Sequence, residues 1–147
     1  MTPQEIAQIL SHSQLFHGLS SETLSGLAGT GEILSLKAGD YLLESGQPVP
    51  GLLIPLSGSF QVSKKGQILA DRIGRGSFFG EISLFVVTMG ATASVQATHP
   101  SSALLLKPKS LQAWFGKNAD VEKLFYKNLS AELARRLYST TTAATES

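Results

Sequence analysis

The chain has no cysteine among its 147 residues. That excludes disulfides, cysteine-ligated zinc and iron–sulfur clusters. Charge is also sparse, at 16% of residues, and it balances to +1 without any run of one sign. Binding to nucleic acid driven by electrostatics is therefore not expected. Apolar runs are short, and none approaches the length needed to span a bilayer, so no membrane association is expected. The opening residues Met1-Thr2-Pro3-Gln4-Glu5 contain neither a basic stretch nor an apolar one. They do not read as a signal peptide, and a cytoplasmic location is the default expectation. Histidine occurs only at His12, His17 and His99, scattered along the chain. That pattern argues against a metal site and against a metal-dependent small-barrel enzyme. No nucleophile–base pair or paired carboxylate stands out either, so the chain is not expected to be an enzyme.

The composition that remains is that of a globular chain, 42% hydrophobic and long enough for one core. Thr2-Pro3-Gln4-Glu5 has the form of a capping box with proline at the first helical position, predicting a helix to about Leu10. Ser20-Ser21-Glu22 predicts the cap of a second short helix carrying Leu24 and Leu27. From Ile33 to Leu106 short apolar runs alternate with glycine-rich turns, the pattern of an all-β sandwich or barrel. The expected strands are 33–36, 41–43, 52–56, 59–63, 68–73, 93–97 and 103–107. Lys64-Lys65-Gly66 reads as a hairpin turn, and Pro55 marks an edge or a bulge. Lys109–Phe115 predicts a short helix. Asn118 then predicts the cap of a longer one, whose stripe is Val121, Leu124, Phe125, Leu129, Leu133 and Leu137. Arg135 and Arg136 near its far end suit the helix dipole. Residues 1–138 are expected to form one domain and 139–147 a polar tail that frays.

The most informative stretch is Gly76-Ser77-Phe78-Phe79-Gly80-Glu81-Ile82-Ser83-Leu84. It reads as a glycine turn opening a short helix, with a carboxylate at its start. Such a helix start suits an anion, and Glu81 suits a sugar hydroxyl.

These residues resemble the cyclic nucleotide-binding domain family, which includes catabolite activator protein and the regulatory subunits of cAMP-dependent protein kinase. The resemblance rests on Leu36-Lys37-Ala38-Gly39-Asp40, Glu44-Ser45-Gly46-Gln47, the strand–glycine–strand run from Ile54 to Val62, and Phe79-Gly80-Glu81-Ile82-Ser83-Leu84. The closing run Leu129 to Leu137, with Arg135-Arg136-Leu137, is similar as well. The resemblance implies a mainly β fold with flanking helices, in which a jelly-roll-like, double-stranded β-helix barrel lies between short N-terminal helices and a C-terminal helix pair. It also implies a sensor that binds cAMP or cGMP without a cofactor or metal and signals through the last helix.

By that resemblance the ligand residues are Phe79, Gly80, Glu81, Ile82 and Ser83, then Ala91, Thr92 and Ala93, with Thr140 and Thr141 from the last helix at the purine. The chain departs from the family at Ala91, which stands where the family places an arginine on the phosphate. A charge-assisted bond of that kind is worth roughly 1.5–3 kcal/mol. Arg72 and Arg75, just upstream, are candidates to replace it. The resemblance further implies a homodimer through the last helix. No helix–turn–helix follows Leu137, so the chain alone is not expected to read DNA. The alternative is a degenerate domain that has lost the nucleotide and works by dimerisation or docking on a protein.

Overall fold

The computed structural model describes residues 1–85 and 90–146, with side chains described up to Ser139. Helix α1 (Pro3–Leu10) starts as its sequence predicts, with Thr2 Oγ1 accepting from the Glu5 N–H at 3.1 Å. A 3₁₀ turn (Gln14–Phe16) follows, and then α2 (Ser21–Ala28), capped by Ser20. The β region comprises β1 (Glu32–Leu36), β2 (Tyr41–Leu43), β3 (Leu52–Ser57), β4 (Phe60–Lys64), β5 (Gln67–Ile73), β6 (Ser94–Ala97) and β7 (Ser101–Leu106). Two helices close the chain, α3 (Pro108–Gly116) and α4 (Ala119–Glu146).

The strands form two antiparallel sheets, ordered β1-β7-β3 and β2-β6-β4-β5. The fold is the expected mainly β, jelly-roll-like one with flanking helices, and its sheets do not close into a barrel. No ladder joins the sheets among the described residues; instead they share a core of Leu36, Leu43, Leu53, Phe60, Val95, Ala97 and Leu105. Pro55 helps to explain why. Leu53 gives both backbone groups to Phe79 at 2.8 Å, on the outer edge of β3. Two residues on, Pro55 points to the same edge and has no N–H to continue that pairing. The sheet register also shifts between Pro55 and Ser57, so Pro55 marks both an edge and a bulge.

β3 and β7 are buried on both faces because they feed two cores. Leu53 and Leu105 point to the core between the sheets, while Leu52, Ile54, Leu56, Leu104 and Leu106 point to the helices. On that second side α4 lays Phe125 against Phe16 and Phe115, with ring centroids 6.0 and 5.0 Å away. Asn128 Nδ2 donates to the carbonyls of Leu15 (3.1 Å) and His17 (2.8 Å). The β4–β5 hairpin turns through Lys65 (φ 52°) and Gly66 (φ 78°), both left-handed, as a two-residue turn requires.

Three expectations about the helices are modified. Asn118 precedes α4, but its side-chain amide turns back to donate to the Trp114 carbonyl at 2.9 Å and so serves the end of α3. α4 continues through the threonine run to Glu146, where fraying is the sequence expectation. Each threonine costs only a fraction of a kcal/mol, and a helix already anchored by packing extends readily. The stripe of α4 breaks at its end, where Leu137 is 69% exposed. Among the described residues no helix is long and apolar enough to cross a membrane.

Candidate functional site

The site begins where Phe79 is pinned to Leu53 and the chain must turn sharply. Gly80 makes that turn at φ 79°, ψ 13°. A Cβ there would collide with the Gly51 carbonyl oxygen, so only glycine fits. The chain then enters a 3₁₀ turn, Glu81–Leu84. The short helix expected from the sequence is therefore a single turn of four residues, and its aligned dipoles are few. The buried Ser83 is spent on this turn, its Oγ donating to the Gly80 carbonyl at 2.7 Å.

Across from Glu81 the chain returns through Gly90 and Ala91. Ala91 is locked to the loop before β3, donating to the Gln47 carbonyl (2.9 Å) and accepting from the Gly46 N–H (2.7 Å). A cavity of about 310 Å³ lies between the two segments. Phe79, Gly80, Glu81, Ile82, Ala91, Thr92 and Ala93 all line it, so most of the expected ligand residues meet at one place. Ser83 does not line it. The side chains of Thr140 and Thr141 lie outside the described residues, as does the segment 86–89.

Most of the remaining lining is apolar, from Leu43, Val49, Val62, Ile73 and Val95. Ala91 is buried within the core between the sheets and brings no charge. Neither Arg72 nor Arg75, the two candidates to replace the missing arginine, lines the cavity. Arg75 Nε donates to the Leu56 carbonyl at 3.1 Å and lines a different hollow, against α1. Arg72 sits on the exposed β5 strand, its backbone left-handed at φ 56°.

The cation at the cavity comes from the other side, from α4. Arg136 Nη1 lies 3.6 Å from Glu81 Oε1, and its guanidinium carbon lies 4.4 Å from the centre of the Phe78 ring. Arg136 Nε also bonds Glu132 Oε1 at 3.4 Å, one turn back on the same helix. Glu132 in turn holds Arg135 through contacts of 2.6 and 3.1 Å. The Arg135 hydrogen bond, with the charges of Arg135 and Arg136, holds the Glu132 carboxyl below its usual range despite some burial. Among the described residues Arg136 is the one cationic side chain lining the cavity.

From the sequence, Arg136 is matched to the helix dipole and to the closing run of the resemblance, and not to the ligand site. The signal for a larger role was its register. Arg136 follows Leu129 by seven residues and Leu133 by three, so it shares the face that Leu129 buries. Phe78, which the sequence places in the same stretch as Glu81, is buried and lies beneath that arginine. Phe78, Ser77 and Arg136 also border a second hollow of about 630 Å³, between the approach to the site and α4. Farther back, Phe85 meets Tyr126 of α4 at 5.9 Å, and burial and Glu122 raise the Tyr126 phenol.

The arrangement offers a mostly apolar chamber with a carboxylate and a guanidinium facing each other at its mouth. It suits a ligand with a flat apolar body and a polar end. Among the described residues no group of His, Asp and Glu is placed to hold a metal ion.

Comparison with known proteins places this geometry. No curated protein sequence matches the chain. Among solved structures, the catabolite activator protein of Thermus thermophilus shares 27% identity over 90% of this chain at a TM-score of 0.78. This chain covers 62% of the length of that protein. The N-terminal domain of a transcriptional regulator from Streptomyces coelicolor shares 26% identity, covering 92% of this chain and 96% of that one, at a TM-score of 0.76. A cyclic nucleotide-binding domain from Methylobacillus flagellatus, 23% identical over 96% of this chain and 81% of its own, shares the fold at a TM-score of 0.79. The family profile of the cyclic nucleotide-binding domain matches residues 33–118, from β1 to the end of α3. The chain therefore belongs to the cyclic nucleotide-binding domain family.

Proposed function

We propose that this chain is a small-ligand receptor that takes a cyclic nucleotide, cAMP or cGMP, into the cavity at Glu81 and reports its presence through α4. The observation that carries the reading is the position of Glu81, which lies 3.6 Å from a side chain of α4 at the mouth of an apolar chamber. A ribose hydroxyl donating to Glu81 would sit beside the helix that must respond, and the purine would fill the chamber. Differential affinity for two placements of α4 is all that signalling then requires. In this reading the domain spans residues 1–138 with 139–147 as an extension, acts without catalysis in the cytoplasm, and does not read DNA by itself. Exposed Leu137 and Tyr138 near the end of α4 support a homodimer formed through that helix.

A second reading is favoured by Ala91, whose buried methyl stands where the family's phosphate arginine is expected. There the domain would have lost its ligand and would act as a dimerisation or docking module.

Thermal unfolding with millimolar cAMP or cGMP separates the two. Ligand at 100 times its dissociation constant stabilises by roughly 2.7 kcal/mol, a rise of several degrees. The receptor reading expects that rise with one nucleotide and its loss in Glu81→Ala. No rise with either would leave the docking module.

A further inference from the structure

A polar stripe runs along α4 beside its apolar one. Ala131, Glu132 and Arg135 follow Asn128 at helical spacing, so the four share one face. Opposite them stand Gln14 and His17, aligned at either end of the 3₁₀ turn. The two faces meet at Asn128, whose amide donates to the Leu15 and His17 carbonyls. Beyond it Ala131 brings only a methyl group, and the hollow of about 630 Å³ lies between the faces. Gly76, Ser77 and Phe78 form its third side. A volume of that size takes a small molecule. The lining carries two guanidiniums and one carboxylate, an excess of one positive charge before His17 is counted. The Glu132 side chain is only 11% exposed and is spent between the two arginines. Arg135 binds it through Nε at 3.1 Å and Nη2 at 2.6 Å, a side-on grip that turns the Nη1 edge away from the carboxylate. The Arg135 side chain is 66% exposed.

We infer that this hollow is a second small-molecule site, separate from the cavity at Glu81, and that it takes a small organic anion carrying carboxylate or phosphate-ester oxygens. Arg135 supplies the charge-assisted contact, and Glu132 already orients its guanidinium, so little freedom is lost on binding. The Gln14 amide and the His17 imidazole add N–H donors from the facing turn, and the Ser77 hydroxyl adds another from the third side. A neutral polyol meets the same donors but gains nothing from the excess charge. Ser77, Phe78 and Arg136 border both hollows, so an occupant here touches the back of the wall that faces the nucleotide cavity. The site stands on its own lining and does not depend on the nucleotide reading.

The test is titration of the full chain with citrate and with glycerol 3-phosphate, followed by backbone amide NMR shifts at constant ionic strength. Saturable shifts are expected at Gln14, His17, Ser77 and from Ala131 to Arg135 with at least one of the two anions, and none with uncharged glycerol. The anion that saturates at the lower concentration decides between carboxylate and phosphate ester. Arg135→Gln should weaken that binding by roughly tenfold to a hundredfold. His17→Ala should weaken it by roughly twofold to tenfold, through a neutral contact. Lys123→Gln removes the same charge from exposed helix surface outside the hollow and should change affinity by less than about twofold. An unchanged unfolding midpoint in Arg135→Gln would exclude misfolding. The inference is overturned if neither anion saturates, if the shifts centre on Glu81 and Ala91 instead, or if Lys123→Gln loses as much as Arg135→Gln. None of these outcomes bears on cAMP, whose binding is judged separately by the unfolding experiment above.

Discussion

On the sheet side of the cavity the backbone holds the wall. Phe79 is bonded to Leu53, Ala91 to Gly46 and Gln47, and Gly80 sits too close to the Gly51 carbonyl for any other residue. On the α4 side the wall is held by side-chain ends: a guanidinium, a carboxylate and a ring. The same division runs along α4 itself. Its first half buries Phe125 and Leu129 and is tied by Asn128 to the carbonyls of Leu15 and His17, while Leu137 and Tyr138 in its second half are exposed. Backbone pairing and buried aromatics open only with much of the fold, whereas half-exposed polar contacts open at small cost. In the receptor reading proposed above, the response to a ligand is assigned to the stretch of α4 beyond about Leu133.

The rigid wall can be broken at one atom. Gly80→Ala should destabilise the chain by about 2 kcal/mol or more, through left-handed strain and the clash with Gly51. The midpoint of thermal unfolding should fall by roughly 4 to 8 °C. Loss of cavity geometry should go with it, seen as lost ligand stabilisation in the same experiment.

The soft wall should give a smaller effect, sensitive to acid. The Glu132 carboxyl is held below its usual range, chiefly by its Arg135 hydrogen bond. A group with a lowered folded pKa lends stability that is complete above its unfolded pKa and is lost as pH falls through the folded one. Glu132→Gln should therefore cost within roughly 1 kcal/mol near neutrality. That difference from the parent should shrink on acidification below the ordinary carboxylate range. Unfolding curves at neutral and acid pH check it, and a difference that grows toward acid would contradict the sign.

Much of this was legible in the sequence because it is local. All seven strands follow from apolar runs cut by turns, and Pro55 declares its edge and bulge by lacking a donor. Lys65-Gly66 announces its hairpin, and the meeting of Glu81 with Ala91 follows from the family pattern. What escaped depends on long-range placement. Arg75 directly precedes the stretch that forms the site, yet its side chain runs to the Leu56 carbonyl on the far side. Arg136 is 55 positions from Glu81 (136 − 81) and meets it only because α4 folds back over the cavity. The separation of the sheets likewise depends on pairing between distant edges, which no single segment records.

In the proposed receptor reading, ligand acts on the far half of α4 while the sheet wall stays fixed. Amide hydrogen exchange of the full chain, with and without saturating cAMP, tests it most directly. The account predicts altered protection in α4 beyond Leu133, with Phe125 to Leu129 and the Gly46–Ala91 pairing unchanged. An identical exchange pattern along α4 in the free and saturated protein would contradict it.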